Sequence, residues 1–268
     1  MSDNDKKLLS ARLSDLANKS ERGYVCSSGF LDPAEAIYSK KFIKRLGKTN
    51  LSFFFGGYKD AERRCLFFLP AYYEGLVHDT ESPTLLIEQF SEDISSSVQM
   101  ISISGSGYKN LTHRDYMGAI LNMGIDRSAV GDICVTGENS CVLFAAPAVA
   151  SLICSGLERI GTDKVKTEII PLSADFSYER KMKDINHTVA SDRVDCVVSA
   201  LCGESREKSK SIILSGLVDL NYSSCTQTDT RIKNGDIISI RKVGKFIIFD
   251  ITEETKKGRL RLSAKKYI

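Results

Sequence analysis

Three adjacent residues, His113-Arg114-Asp115 within LTHRDYMGAILNMGI (residues 111–125), carry side chains able to hold a phosphate, move a proton or bind a metal. The same triplet opens the catalytic loop of protein kinases, where an Asn five residues after the Asp reaches a metal. Here that position is Ile120, and the nearest Asn is Asn122. The nearest counterpart of the magnesium-binding Asp-Phe-Gly is Asp175-Phe176-Ser177, which lacks the Gly. The spacing argues against phosphoryl transfer and for a helix start. Thr112 takes the N-cap, and Asp115, three residues on, reaches back to the free N–H groups at the positive end of the dipole. Tyr116, Met117, Ile120 and Met123 then share a buried face, and Gly124 ends the helix. His113 and Arg114 are left in the first turn, where an exposed basic pair suits a phosphate and also plain solvent.

Other reactive side chains form no recognisable site. The histidines at 78, 113 and 187 lack metal-ligand spacing. The eight cysteines include no Cys-x-x-Cys, and several stand inside apolar runs such as CVLFAA and DCVVSALC. They read as small buried hydrophobes in a reducing cytoplasm, so neither disulfides nor a metal is expected. Gly105-Ser106-Gly107 lacks the third glycine of a nucleotide loop and reads as a turn. No cofactor is implied.

The elements that must position these groups follow from pattern. The 268 residues suffice for two or three small domains, with 42% hydrophobic and 26% charged residues. No apolar run approaches the ~20 residues of a membrane span. The net charge of +3 is uneven. Residues 190–268 carry 15 Lys and Arg against 10 Asp and Glu, a bias that suits a polyanionic partner and equally a solvated lysine-rich face. Residues 5–18 form an amphipathic helix carrying Leu9, Leu13 and Leu16. Asp32-Pro33-x-Glu35 opens a second helix, and LSFFFGGY with CLFFLPAYY makes a hairpin with AERR near its turn.

The order from VQMISIS to KVKTEIIP is β-α-β-β-α-β, the ferredoxin-like arrangement shared by RNA-recognition domains. Its central strands offer only Phe144 for base stacking, so RNA would be met by a helix end or loop. Residues 173–190 read as a linker and 251–268 as a basic tail without a core face. Between them lie a helix over 192–202, a helix capped by Ser205, and short strands at LVDLN, DIISI and KFIIFD.

The C-terminal part resembles the S4 RNA-binding domain in Arg193-Val194-Asp195, Ser205-Arg206 with Ile213, Gly216-Leu217-Val218-Asp219-Leu220-Asn221, and Gly235-Asp236-Ile237-Ile238. It departs at Ser209, where a small Ala is usual, and at Tyr222, where a Gly often closes the hairpin. Residues 5–250 then resemble the YlmH-type S4 proteins. The residues that carry this are Phe30-Leu31-Asp32-Pro33, Gly56-Gly57-Tyr58 with Ala61-Glu62-Arg63, the segment from Leu111 to Tyr116, Gly124 to Arg127 and Gly131-Asp132-Ile133.

The resemblance implies an α+β chain of three parts: a small N-terminal α/β domain (1–80), a ferredoxin-like, RNA-recognition-like domain (81–172) and, after the linker, an S4 domain (191–250). It implies a non-enzymatic RNA-binding protein; a cytoplasmic location and a monomeric state are expected beside it. Its partners would be ribosomal RNA, with tRNA as a second candidate, on the large ribosomal subunit during quality control of stalled translation. The expected RNA contacts are Arg193, Ser205, Arg206, Lys208, Lys210, Asn221, Arg241, Lys242 and Lys245, joined by His113, Arg114 and Arg127. Two alternatives stand beside it, an S4-containing RNA-modifying enzyme and a protein-interaction scaffold. Neither the G-R-L-D of pseudouridine synthases nor the H-I-G-H of synthetases is present.

Overall fold

The computed structural model describes residues 1–75, 82–252 and 258–268. The expected domain boundary at 80–81, His78 and part of the tail (253–257) lie outside the described residues. The chain forms two compact units, Met1–Tyr178 and Glu179–Ile268, and is α+β with antiparallel sheets.

In the first unit, α1 (Asp3–Glu21) is closed by a capping box from Ser2 and Asp5. β1 (Cys26–Ser27) follows, then α2 (Pro33–Arg45), whose capping box is Asp32 with Glu35. β2 (Ser52–Phe55) and β3 (Cys65–Phe68) pair in the expected hairpin, and β1 joins them in the order β1-β3-β2. α3 (Pro83–Ser95), capped by Ser82, was not anticipated; it buries Leu86, Phe90 and Ile94.

The next elements match the β-α-β-β-α-β expectation: β4 (Gln99–Gly105), α4 (His113–Asn122), β5 (Val130–Val135), β6 (Ser140–Ala145) and α5 (Pro147–Gly156). A short β7 (Arg159–Ile160) and β8 (Asp163–Ile170) complete a sheet ordered β5-β6-β4-β8-β7, antiparallel throughout. Gly105-Ser106-Gly107 is the turn leaving β4, where the Ser106 N–H and hydroxyl both donate to the buried Asp163 carboxylate.

Alternation along the strands sends Ile101, Ile103 and Leu143 toward α4 and α5, and Met100 and Phe144 to the opposite face. That second face is the one an RNA-recognition domain would offer to bases. Here Phe144 is wholly buried among aromatics, with ring centres 5.6 Å from both Tyr58 and Phe176. Phe30, Phe53, Phe67 and Phe90 complete the same cluster. A polar clasp holds the joint. The buried Asp132 carboxylate accepts from the Tyr58 hydroxyl (2.8 Å) and from the N–H groups of Glu62 and Arg63 (2.7 and 3.0 Å). The Arg63 guanidinium donates to the carbonyls of Val130, Phe30 and Arg127.

The second unit holds α6 (Val194–Cys202) and α7 (Arg206–Leu214) against a six-stranded sheet. Its strands are β9 (Met182–Val189), β10 (Val218–Leu220), β11 (Ser223–Ser224), β12 (Ile237–Ile240), β13 (Gly244–Asp250) and β14 (Leu260–Tyr267), ordered β11-β10-β12-β13-β14-β9. This corrects two expectations. Residues 182–189, read as linker, form β9. Residues 260–267, read as a tail without a core face, form β14, which buries Leu262 and Ala264. The two strands pair along their full length, from Leu260 with Val189 to Tyr267 with Met182.

Candidate nucleic-acid interface

At the start of α4 the cap forms as its residue types require. The Thr112 N–H donates to Asp115 Oδ2 (2.8 Å), the Thr112 hydroxyl donates to the same oxygen (2.6 Å), and the Asp115 N–H reaches back to Thr112 Oγ1 (3.4 Å). The bonds from Thr112 hold the Asp115 carboxyl below its usual range, with Lys109 Nζ 3.7 Å away adding to the effect. A carboxylate so engaged is a cap rather than a poised base. Thr112→Ala should therefore lower stability by about 1 kcal/mol, read as a small drop in melting temperature. His113 and Arg114 are exposed in the first turn. Tyr108, 80% exposed, stands in the loop leading to this helix, an aromatic that the sequence reading passed over.

Arg127 does not share that exposure. It is half-buried, and Nη1 donates to the carbonyls of Val130 (3.2 Å) and Gly131 (3.1 Å). Burial, with the neighbouring Arg63 charge, lowers its pKa to about 10. Its place is in the joint, pinning the start of β5.

In the second unit the signature residues turn inward. Asp195, one residue into α6, is fully buried, and Oδ1 and Oδ2 receive Nε and Nη2 of Arg193 (3.2 and 3.3 Å) while Oδ2 also receives Nε of Arg206 (3.0 Å). Burial pushes the Asp195 carboxyl up, but the bonds from Arg193 and Arg206 outweigh it and leave the group below its ordinary value. Arg193 and Arg206 are thus first of all the counterions of a buried acid. The Arg206 side chain remains 49% exposed, and its outer amino groups have no hydrogen bond among the described residues. Ser205 caps α7 by accepting from the Lys208 N–H (3.3 Å), and Lys208 Nζ pairs with Glu204 (2.9 Å). Lys210 is exposed one turn after Arg206 with no ion pair among the described residues.

Asn221 is likewise occupied. Its Nδ2 donates to Asp236 Oδ1 (2.8 Å), and its Oδ1 accepts from the Ile237 N–H (2.9 Å). The G-D-x-I segment and the N of the hairpin therefore brace each other. The exposed Arg241 and Lys242 form the β12–β13 turn, and the Arg241 N–H donates to the Leu217 carbonyl, which seats that turn beside the exit of α7. Lys245 does not extend this group. It lies in β13, with Nζ 4.8 Å from the Tyr222 ring centre and 4.6 Å from that of Tyr267. The acid the arginines serve was hidden from the sequence, because an Asp at a helix start ordinarily reads as solvated.

All eight cysteines are free thiols, and burial raises the pKa of Cys65 to about 12. Among the described residues, no group of three or more His, Cys, Asp or Glu is arranged to hold a metal. No helix there is long and apolar enough to cross a membrane.

Comparison with known proteins agrees with the sequence resemblance. Residues 91–174 match the family described as "Putative RNA-binding domain in YlmH". The chain is 28% identical over 236 residues to the "Ribosome-associated protein quality control protein P2" of Bacillus subtilis (strain 168), covering 87% of this chain and 84% of the relative. Among solved structures it is similar to the cell division protein ylmH from Streptococcus pneumoniae, at 20% identity and a TM-score of 0.49, over 66% of this chain and 97% of the other. The likeness to YlmH-type proteins read from the motifs is thereby borne out.

Proposed function

We propose that this YlmH-like chain is a non-enzymatic RNA-binding protein that works on the ribosome. Its targets in this reading are ribosomal RNA of the large subunit and a tRNA held there, during quality control of stalled translation in the cytoplasm, with the protein acting as a monomer. The observation that carries the reading is the match of residues 91–174 to an RNA-binding family within a chain similar along 87% of its length to a ribosome-associated protein. The exposed cations fit it. In the S4-like unit these are Lys210, Arg241, Lys242 and the outer edge of Arg206. In the first unit Arg114 is one, and it stands beside His113 at a helix N-terminus, where backbone N–H groups and the dipole already favour an anion.

The test separates phosphate contacts from internal ones. Lys210→Ala combined with Arg241→Ala should leave the melting temperature nearly unchanged. It should weaken binding to isolated large subunits and lower the slope of log K against log salt by roughly 0.7–0.9 per lost phosphate contact. Arg114→Ala, in a separate variant, should act in the same direction. Arg206→Ala is a poorer probe, since it also strips a counterion from Asp195. An unchanged slope in the double variant would remove the helical surface from the interface. Sedimentation of a lysate on a sucrose gradient tests the wider reading: the protein should travel with large subunits at low and moderate salt, and its confinement to the top fractions would refute a ribosomal role.

A further inference from the structure

The sheet of the second unit has two faces, and the helices cover only one. Phe246, Ile248, Leu262 and Ala264 point into the core beneath α6 and α7. The strand period of two sends Lys245, Ile247, Arg261, Lys265 and Tyr267 to the opposite side. At its centre that side sets lysines against rings. Lys245 Nζ lies between Tyr222 and Tyr267, and Lys265 Nζ stands 4.9 Å from the ring centre of Phe249, which is 62% exposed. Arg261, exposed on β14, continues the cationic row.

Tyr222 adds a second kind of observation. It and Asn221 form the two-residue turn between β10 and β11, with φ of 64° and 49°. A turn with both central φ values positive suits Asn followed by Gly, and a bulky ring there is strained. The turn thus holds an aromatic ring against Lys245 at a position where glycine would be relaxed.

We propose that this outer sheet face is a binding platform for single-stranded RNA, distinct from the helical surface. Tyr222, Tyr267 and Phe249 stack successive bases, and Lys245, Lys265 and Arg261 meet the phosphates between them. Asp184 and Asp219 face the same side from the flanking strands β9 and β10, and Asp250 at the end of β13 is bonded to Asn234 and Thr252. Chemistry at the centre of the face selects the occupant: on β13 and β14 three cations stand among the rings, which matches a strand whose every base has a π-face and whose every link carries a negative charge. The proposal rests on the RNA-binding reading above but asks for an unpaired segment rather than a folded surface.

The experiment uses the full chain and two probes, a fluorescent single-stranded 12-nucleotide oligouridylate and isolated large subunits. Tyr222→Gly should leave stability unchanged or raised, because the turn relaxes. Phe249→Ser should cost little, the ring being exposed. Each should weaken oligonucleotide binding by roughly fivefold or more, the low end of what one base–aromatic stack contributes, and Tyr267→Phe should retain wild-type binding. Oligonucleotide affinity unchanged in both Tyr222→Gly and Phe249→Ser, with subunit binding intact, would overturn the platform and leave the ribosomal reading standing. A loss of subunit binding in these variants with full oligonucleotide affinity would also overturn it, in favour of a protein contact on this face. A wild-type chain that binds neither probe would fail the ribosomal reading itself.

Discussion

Gly57→Ala should cost the first unit about 2–6 kcal/mol. Gly57 has φ of 104°, and a Cβ built there would sit 2.1 Å from Cδ1 of Phe144. The ring has nowhere to go, since it is packed by Tyr58 and Phe176 and has no exposed surface. Overpacking of this kind costs about 1–3 kcal/mol, and the positive φ adds about 1–3 more. Gly23→Ala is the control. Its φ is 95°, but the added methyl would meet nothing within 4 Å, so only the strain applies. Urea unfolding followed by circular dichroism should show the midpoint of Gly57→Ala falling far below that of Gly23→Ala. Equal midpoints would mean that the joint is loose enough to repack.

Asp195→Asn should destabilise the second unit by about 2–3 kcal/mol at neutral pH, since charge-assisted bonds to two arginines are exchanged for weaker ones. The pH dependence gives the assignment away. The folded carboxyl lies below its ordinary value because Arg193 and Arg206 overcome its burial. Its contribution is therefore complete above the unfolded pKa of about 3.9, and it is lost as pH falls through the folded value. The gap in unfolding free energy between wild type and Asp195→Asn should be flat from pH 6 to 8 and close below about pH 4. A gap that stays open in acid would show that the asparagine disrupts packing instead.

What was legible in the sequence was whatever a few neighbouring residues decide among themselves. The Thr112–Asp115 and Asp32–Glu35 boxes, the Phe-rich hairpin and the β-α-β-β-α-β order are of this kind, each written in spacing and cap chemistry. β9 and β14 were not legible, because β9 is a polar edge strand whose form comes from a partner far along the chain, and β14, lying between β13 and β9, alternates only weakly. α3 was missed although Ser82-Pro83 opens it, since its stripe of Leu86, Phe90 and Ile94 is short and flanked by polar residues. For the interface, residue type was readable and partnership was not. Arg193, Arg206, Asn221 and Arg127 look like phosphate ligands in a linear string, yet each first satisfies a carboxylate, an N–H or a carbonyl of its own fold. Lys210, Arg241 and Arg114, which lack such duties among the described residues, are the better candidates.

The covered sheet face also governs how this protein can be taken apart. The segment that matches an RNA-binding family, residues 91–174, starts inside α3, after Leu86 and Phe90, and stops short of Phe176. A fragment cut at those boundaries would leave its aromatic lid behind and expose Met100, Cys134 and Phe144 as a greasy plate. Such a fragment would self-associate, and aromatic rings bared by the scissors would take up bases that the intact chain never admits. Binding measured on the isolated segment would then describe the wound rather than the molecule. Keeping the first unit whole, from Met1 to Tyr178, leaves the lid on and Phe144 buried.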